Sequence, residues 1–384
     1  MENPYKRREF LYHVSRAAIA IPGLSLLSVD AAAGHYFSSL PDDAGSAQPS
    51  KDKKLGIALV GLGNYSEGQL APALQETKRC KLTAVVTGTP EKAEKWKKKY
   101  GIPDKNVYNY KNFDSIKDNP DVDIVYVVLP NSMHAEYVVR AARAGKHVIC
   151  EKPMAVTPRE CEQMIKACKD ANRLLSIGYR LHFEPHNMTM AEFGTKKVYG
   201  NVRKMTALDG QTMEAGVWRL DKKLAGGGPL MDLGIYCVQG CLYTTGELPV
   251  AVTAKFGKKD DPEKFKTVEQ SIAFQLYFPS GAIASCNATY AEQQNLLRAE
   301  AEKGWFELSP AFGYDGLKGK TVRGPLDIVN LNQQAFQMDD FADCVLKNKK
   351  SRVPGEMGLR DVKILTAIYE AAETGKKIEL KGLG

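Results

Sequence analysis

Lys152 stands in Glu151-Lys152-Pro153-Met154, directly after the apolar run His147-Val148-Ile149-Cys150. Proline fixes φ and lacks an N–H, so the strand cannot simply continue, and the ammonium is left beside a rigid corner. Further on, Asp232 and Tyr236 follow Gly226-Gly227-Gly228-Pro229. The glycines make a turn, the proline suits a first helical position, and a spacing of four puts carboxylate and phenol on one helix face. A phenol with a pKa near ~10 is a weak base at neutral pH, and a neighbouring ammonium favours its ionised form. Lys152, Asp232 and Tyr236 would together form an acid–base set in which Lys152 supplies the charge. Read on the 226–236 stretch alone, the alternative is equally open: Asp232 pairs locally and Tyr236 is core.

A second constellation is Gly61-Leu62-Gly63-Asn64-Tyr65-Ser66, after the apolar run Leu55 to Val60. Gly61 permits a tight turn, and Gly63 lets backbone amides approach a pyrophosphate at a helix start. Ser66 stands where a third glycine is usual, so the strand–turn–helix context carries more of the argument than the glycines do. NAD sites usually carry an acid at the end of the next strand for the ribose 2′-hydroxyl. Here that place reads Thr87-Gly88-Thr89, and the first carboxylate, Glu91, is followed by Lys92. A 2′-phosphate would meet hydroxyls, amides and an ammonium there, so NADP is expected in preference to NAD.

The elements that must position these residues alternate. "LGIALVGLGN", "KLTAVVTG", "DIVYVVLP", "HVIC" and "LLSIGYR" read as strands. "PEKAEKWKKKYG", "HAEYVVRAARAGK" and "PRECEQMIKACKDANR" read as helices between them. That alternation predicts a parallel sheet covered on both faces over residues 55–177. From 178 to 384 the texture changes to hairpins such as "VEQSIAFQLYFPSGAIASCNATY", with two amphipathic helices near the end. The expected fold class is α/β plus α+β: a Rossmann dinucleotide-binding domain, then a domain with a large, mostly antiparallel open sheet. The C-terminal helices could pack back on the first domain.

Composition narrows the partners. The chain has 384 residues, 43% hydrophobic, with a net charge of +8. Its lysines are scattered rather than gathered on one surface, which argues against nucleic acid. Residues 1–33, with Arg7-Arg8 before an apolar stretch and small residues, have the layout of a twin-arginine export signal. A buried N-terminal helix is the alternative, and Arg16 and Pro22 break the stretch too early for a membrane span. Residues 34–54 then form a flexible arm. The eight cysteines include no Cys-x-x-Cys pair and read as buried thiols. His182, Glu184 and His186 could ligate zinc, but Pro185 breaks any helix there, and pocket lining is the preferred reading; no metal is expected.

The stretches "GLGNYSEG", "LPNSMHAE", "AGKHVICEKPM", "IGYRLHFEPHN" and "WRLDKKLAGGGPLMDLGIY" together resemble the Gfo/Idh/MocA oxidoreductase family, in particular its glucose–fructose oxidoreductase branch. The resemblance runs from Leu55 to the C-terminus. It implies that Lys152 stands beside the nicotinamide and the reacting sugar carbon, with Asp232 and Tyr236 completing the catalytic set; many members have His at the place of Tyr236. It implies cofactor contacts from Gly61, Leu62, Gly63, Asn64, Tyr65, Thr87, Gly88, Lys92, Leu129, Asn131, His134, Glu151, Lys152, Arg180, Trp218 and Arg219. The implied activity is oxidation of an aldose at C1 to a lactone with NADP. Tyr236 would take the hydroxyl proton, and a second sugar could re-oxidise a tightly held cofactor. A homodimer or homotetramer accompanies it, while the twin-arginine signal implies a periplasmic location or other export by that route. The rival expectations are an NAD-using glycoside hydrolase of the same superfamily and a non-catalytic dinucleotide-binding sensor.

Overall fold

The computed structural model describes residues 54–383, so the expectations for the export signal and for the arm up to residue 53 lie outside the described residues. Strands β1 (Leu55–Val60), β2 (Cys80–Val86), β3 (Val107–Tyr108), β4 (Ile124–Val127), β5 (His147–Cys150) and β6 (Leu175–Ile177) form a parallel sheet in the order β3-β2-β1-β4-β5-β6. Every residue of β1 and β4 is buried, because helices cover both faces of the sheet. The helices are α1 (Ala71–Glu76), α2 (Pro90–Tyr100), α3 (His134–Arg143) and α4 (Pro158–Asp170). Helix α2 ends at Gly101 in the left-handed conformation, and α4 starts from a reciprocal capping box between Thr157 and Glu160. The winding reverses between β1 and β4, so a ligand crevice is expected at the carboxyl ends of these strands. The short β3 was not foreseen; two residues are too few for a sequence pattern.

Past β6 come α5 (Pro185–Thr195), strand β7 (Val202–Gly210), the short α6 (Lys222–Ala225) and α7 (Ile235–Thr245). Strands β8 (Ala251–Phe256), β9 (Ser271–Tyr277), β10 (Ile283–Thr289), β11 (Gln294–Ala301), β12 (Gly304–Leu308), β13 (Gly319–Thr321) and β14 (Gly324–Leu326) follow. Helices α8 (Gln333–Leu346) and α9 (Gly355–Thr374) and strand β15 (Ile378–Glu379) end the chain. The second sheet has nine strands, in the order β14-β13-β12-β11-β7-β10-β9-β8-β15. Its pairs are antiparallel except β7 with β10. Burial alternates along β9, as it must where one face is covered.

Two readings of local structure are corrected. Pro185 does not break a helix; it begins α5, where its missing N–H is not needed, and Glu184 caps the helix by accepting from Asn187 N at 2.8 Å. The helix after the triple glycine does not start as plain α either: Leu230–Gly234 is a π-helical turn, and Asp232 lies in it. Single π turns often occur at functional sites.

Candidate active site

The turn after β1 is built as a phosphate cradle. Gly61 has φ +94°, and a Cβ there would lie 2.3 Å from the Val128 carbonyl oxygen, so the position admits only glycine. Ser66 stabilises the turn from inside, its hydroxyl donating to Gly61 O at 2.6 Å. Gly63 is different: a Cβ there would meet nothing within 4 Å, so no protein atom requires glycine at this place. Open space beside exposed Gly63 and Asn64, over buried Leu62, fits the close approach of a pyrophosphate. Lys92 reaches back from α2 to donate to Leu62 O at 3.2 Å, which sets an ammonium at the rim of the same turn. Thr87 is buried and accepts from Thr89 N at 3.2 Å, and Gly88 packs against the Tyr110 ring. The residues present therefore fit a dinucleotide.

Lys152, Asp232 and Tyr236 converge although 84 residues of chain, from 152 to 236, separate their ends. The Lys152–Pro153 peptide is cis. Lys152 Nζ donates to the Asp232 backbone oxygen at 2.6 Å and to its Oδ1 at 3.1 Å. The same ammonium lies 4.6 Å from the centre of the Tyr236 ring. An ammonium has three donors, so one is left for a ligand. Burial works against the charge of Lys152, yet Tyr236 and Asp232 together hold its pKa above the ordinary lysine value. Burial also opposes the charge of Asp232, and here Lys152 and Arg219 outweigh it, holding the carboxyl well below the usual carboxylate range. Arg219 Nε pairs with Asp232 Oδ2 at 3.0 Å, and the Tyr290 hydroxyl donates to the same oxygen at 3.1 Å. Asp232 is thus a fully committed anion that fixes the lysine.

The remaining predicted residues fall into two groups. Glu151 is buried beneath the site, accepting from the Tyr126 hydroxyl at 2.6 Å and from Lys152 N at 3.2 Å. Asn131, beyond buried Leu129, ties the two domains together by donating to Ala225 O at 2.8 Å. His134 is fully buried between the carbonyls of Leu129, at 2.9 Å, and Pro153, at 3.0 Å, and burial lowers its pKa. It pins the Leu129 turn to the lysine corner instead of facing open space. Arg180 is likewise buried. It donates to Phe312 O at 2.7 Å, Gly313 O at 2.8 Å and Gln333 Oε1 at 2.7 Å, and its guanidinium lies over the rings of Tyr236 (4.8 Å) and Tyr314 (4.5 Å). Tyr65 meets Tyr314 with 5.7 Å between ring centres. Trp218 packs under the Arg219 guanidinium at 4.6 Å.

Sequence reasoning missed Tyr290, Tyr314, Glu269 and Asp209. Glu269 accepts from Gly228 N (3.0 Å), Leu230 N (3.1 Å) and the Tyr369 hydroxyl (2.7 Å), so it clamps the turn that presents Asp232. These residues lie in strands or loops far along the chain and carry no local motif. At the other end of the question, Glu184 Oε1 holds His186 Nδ1 at 2.7 Å while its Oε2 binds Asn187, and no metal-binding cluster occurs among the described residues. No helix among them is long and apolar enough to cross a membrane.

Residues 55–179 match the model of the oxidoreductase family with the NAD-binding Rossmann fold, and residues 188–307 match the GFO/IDH/MocA C-terminal domain. The chain is 44% identical to the aldose–aldose oxidoreductase of Caulobacter crescentus, whose structure was solved with glycerol. The match covers 85% of this chain and all of that one, with a TM-score of 0.83. It is 29% identical to the NADP-dependent D-xylose 1-dehydrogenase of Haloarcula marismortui over 87% of this chain and 95% of that protein. A levoglucosan dehydrogenase solved with NADH and levoglucosan shares the fold at a TM-score of 0.73 and 21% identity, over 86% of this chain and all of that one.

Proposed function

The chain belongs to the GFO/IDH/MocA oxidoreductase family, and from that premise we propose that it oxidises an aldose at C1 to the lactone, with NADP as cofactor. The observation that carries this reading is the Lys152–Asp232–Tyr236 cluster beside a glycine turn shaped for a dinucleotide. A nicotinamide dinucleotide on that turn would supply the hydride acceptor. Tyr236 takes the proton of the anomeric hydroxyl at its phenolic oxygen, with the ammonium of Lys152 4.6 Å from its ring centre. Lys152 uses its free N–H on the sugar oxygen. Asp232 keeps the ammonium charged and in place. The neutral Thr87-Gly88-Thr89 stretch and Lys92 support NADP, as do relatives that use NADP.

Return of the hydride to a second sugar is supported by the aldose–aldose activity of the Caulobacter relative. Export by the twin-arginine route and assembly into a dimer or tetramer through the open sheet belong to the same reading. The test is an absorbance and mass spectrum of the purified, undialysed protein before and after adding glucose. Co-purified NADP that becomes reduced is the expected result. NAD that no sugar reduces, together with release of nitrophenol from aryl glycosides, would overturn the proposal in favour of a hydrolase.

A further inference from the structure

We propose that Asp209 is a further substrate-binding residue of this site, its carboxyl group hydrogen-bonding a hydroxyl of the bound sugar. The inference rests on the sugar-oxidoreductase reading above. Asp209 is the penultimate residue of β7. Burial alternates along that strand, so Ala207 and Asp209 face the covered side and Leu208 the other. On that side Asp209 meets Cys237 of α7, while Lys152, Asp232 and Arg180 are the charged groups that act on its carboxyl. Across the sheet Asp209 is paired with Ala288 of β10, against which Gly234 of the π turn packs, and two residues further Tyr290 bonds Asp232, so Asp209 lies beside the Lys152–Asp232 pair.

Every other buried acid among the described residues is matched by partners. Glu151 has Tyr126, Glu184 has His186 and Asn187, Glu269 has Tyr369 and two backbone amides, Asp343 has Arg79 and Lys347, and Asp361 has Gln239 and Arg360. Among the described residues no other side chain bonds to or pairs with Asp209, and its carboxyl has only the backbone amide of its neighbour Gly210. A buried carboxyl held by one backbone amide and no side chain keeps most of its hydrogen-bonding capacity open, so it calls for a ligand or another role. Asp209 keeps 6% exposure, close to the 8% of Tyr236. Burial pushes its pKa up to about 8. At neutral pH the group is then a neutral acid, able to donate and accept at once, as a sugar hydroxyl requires, without a second negative charge beside Asp232.

The test uses the full chain loaded with NADP. Affinity for D-glucose and D-xylose is measured by calorimetry, and kcat and KM are measured from pH 6 to 9, for the wild type, Asp209→Ala and Asp209→Asn. Asp209→Ala should weaken sugar binding and raise KM about tenfold or more, with NADP content unchanged. Asp209→Asn keeps a neutral donor and acceptor. The wild type should show a rise in KM above pH 8 as Asp209 ionises, and Asp209→Asn should restore binding at pH 7 and abolish that rise. Unchanged KM and affinity in Asp209→Ala, with wild-type turnover intact, would overturn the role of Asp209 and leave the sugar-oxidoreductase reading standing. If the wild type binds sugar but reduces no cofactor, that reading fails while lost binding in Asp209→Ala still supports the contact. A wild type that binds neither sugar overturns both.

Discussion

Replacing Tyr236 with phenylalanine removes one oxygen and keeps the ring that Lys152 and Arg180 face. Turnover should fall by ~10²–10⁴, the usual worth of a positioned acid–base group, while bound cofactor is retained; stopped-flow reduction of that cofactor measures both. Near-normal turnover would rule out Tyr236 as the proton acceptor. Asp209 also makes a prediction about stability. Its folded pKa is raised to about 8, whereas an unfolded Asp titrates near ~3.9. The unfolded chain therefore binds fewer protons between these values, and stability is lost as pH rises through that window. Asp209→Asn removes the loss. The variant should melt higher than the wild type at pH 8 and no higher at pH 4, as read by calorimetric melting at the two pH values.

At the scale of elements, two glycines of one turn serve different ends. Gly61→Ala sets a Cβ against the Val128 carbonyl in a left-handed backbone and should destabilise the fold, lowering the melting temperature of cofactor-free protein. Gly63→Ala meets no protein atom, so it should leave that temperature unchanged and weaken NADP binding; equal melting losses in both variants would contradict the assignment. The π turn that holds Asp232 depends in the same way on a distant clamp. Glu269→Ala strips the acceptor from Gly228 N, Leu230 N and the Tyr369 hydroxyl. Leaving those donors unpaired should cost ~1–3 kcal/mol in denaturant unfolding. It should also lower kcat, because Asp232 and Lys152 lose their seat.

Across the whole molecule, the second half of the chain completes the first. Ala335, Met338 and Phe341 of α8 pack into one cluster with Ile57, Leu59, Ile124 and Tyr126 of the parallel sheet. Asp339 of α8 accepts from Lys78 N at 2.9 Å and Arg79 N at 2.8 Å. Helix α9 packs on β8 as well as on α4 and β6, so it touches both sheets. Truncating fully buried Phe341 to alanine should therefore cost ~3–5 kcal/mol and lower the unfolding midpoint of both domains together. Urea unfolding followed separately at a dinucleotide-domain probe and a sheet-domain probe checks this. Two transitions, with only one of them shifted, would show that the domains unfold independently.

The alternation of apolar runs and amphipathic helices was enough to read the parallel sheet, because each of those elements is specified by its own residues. The turn at Gly61 and Gly63 and the lysine corner were legible for the same reason: glycine and proline act on their own backbone. The spacing of four after a triple-glycine turn put Asp232 and Tyr236 on one helix face but left a local pair and a core tyrosine equally open, and only the resemblance singled them out. What the sequence could not show is what lies opposite each of them. Arg219, Tyr290 and Glu269 reach Asp232 or its turn from separate loops and strands, and Arg180 proves to be a tie for the Phe312–Tyr314 loop. That no other side chain meets the carboxyl of Asp209 is likewise a property of its surroundings. Local backbone preference is written residue by residue along the chain, whereas charge pairing, burial and the want of a partner exist only once distant segments are packed together.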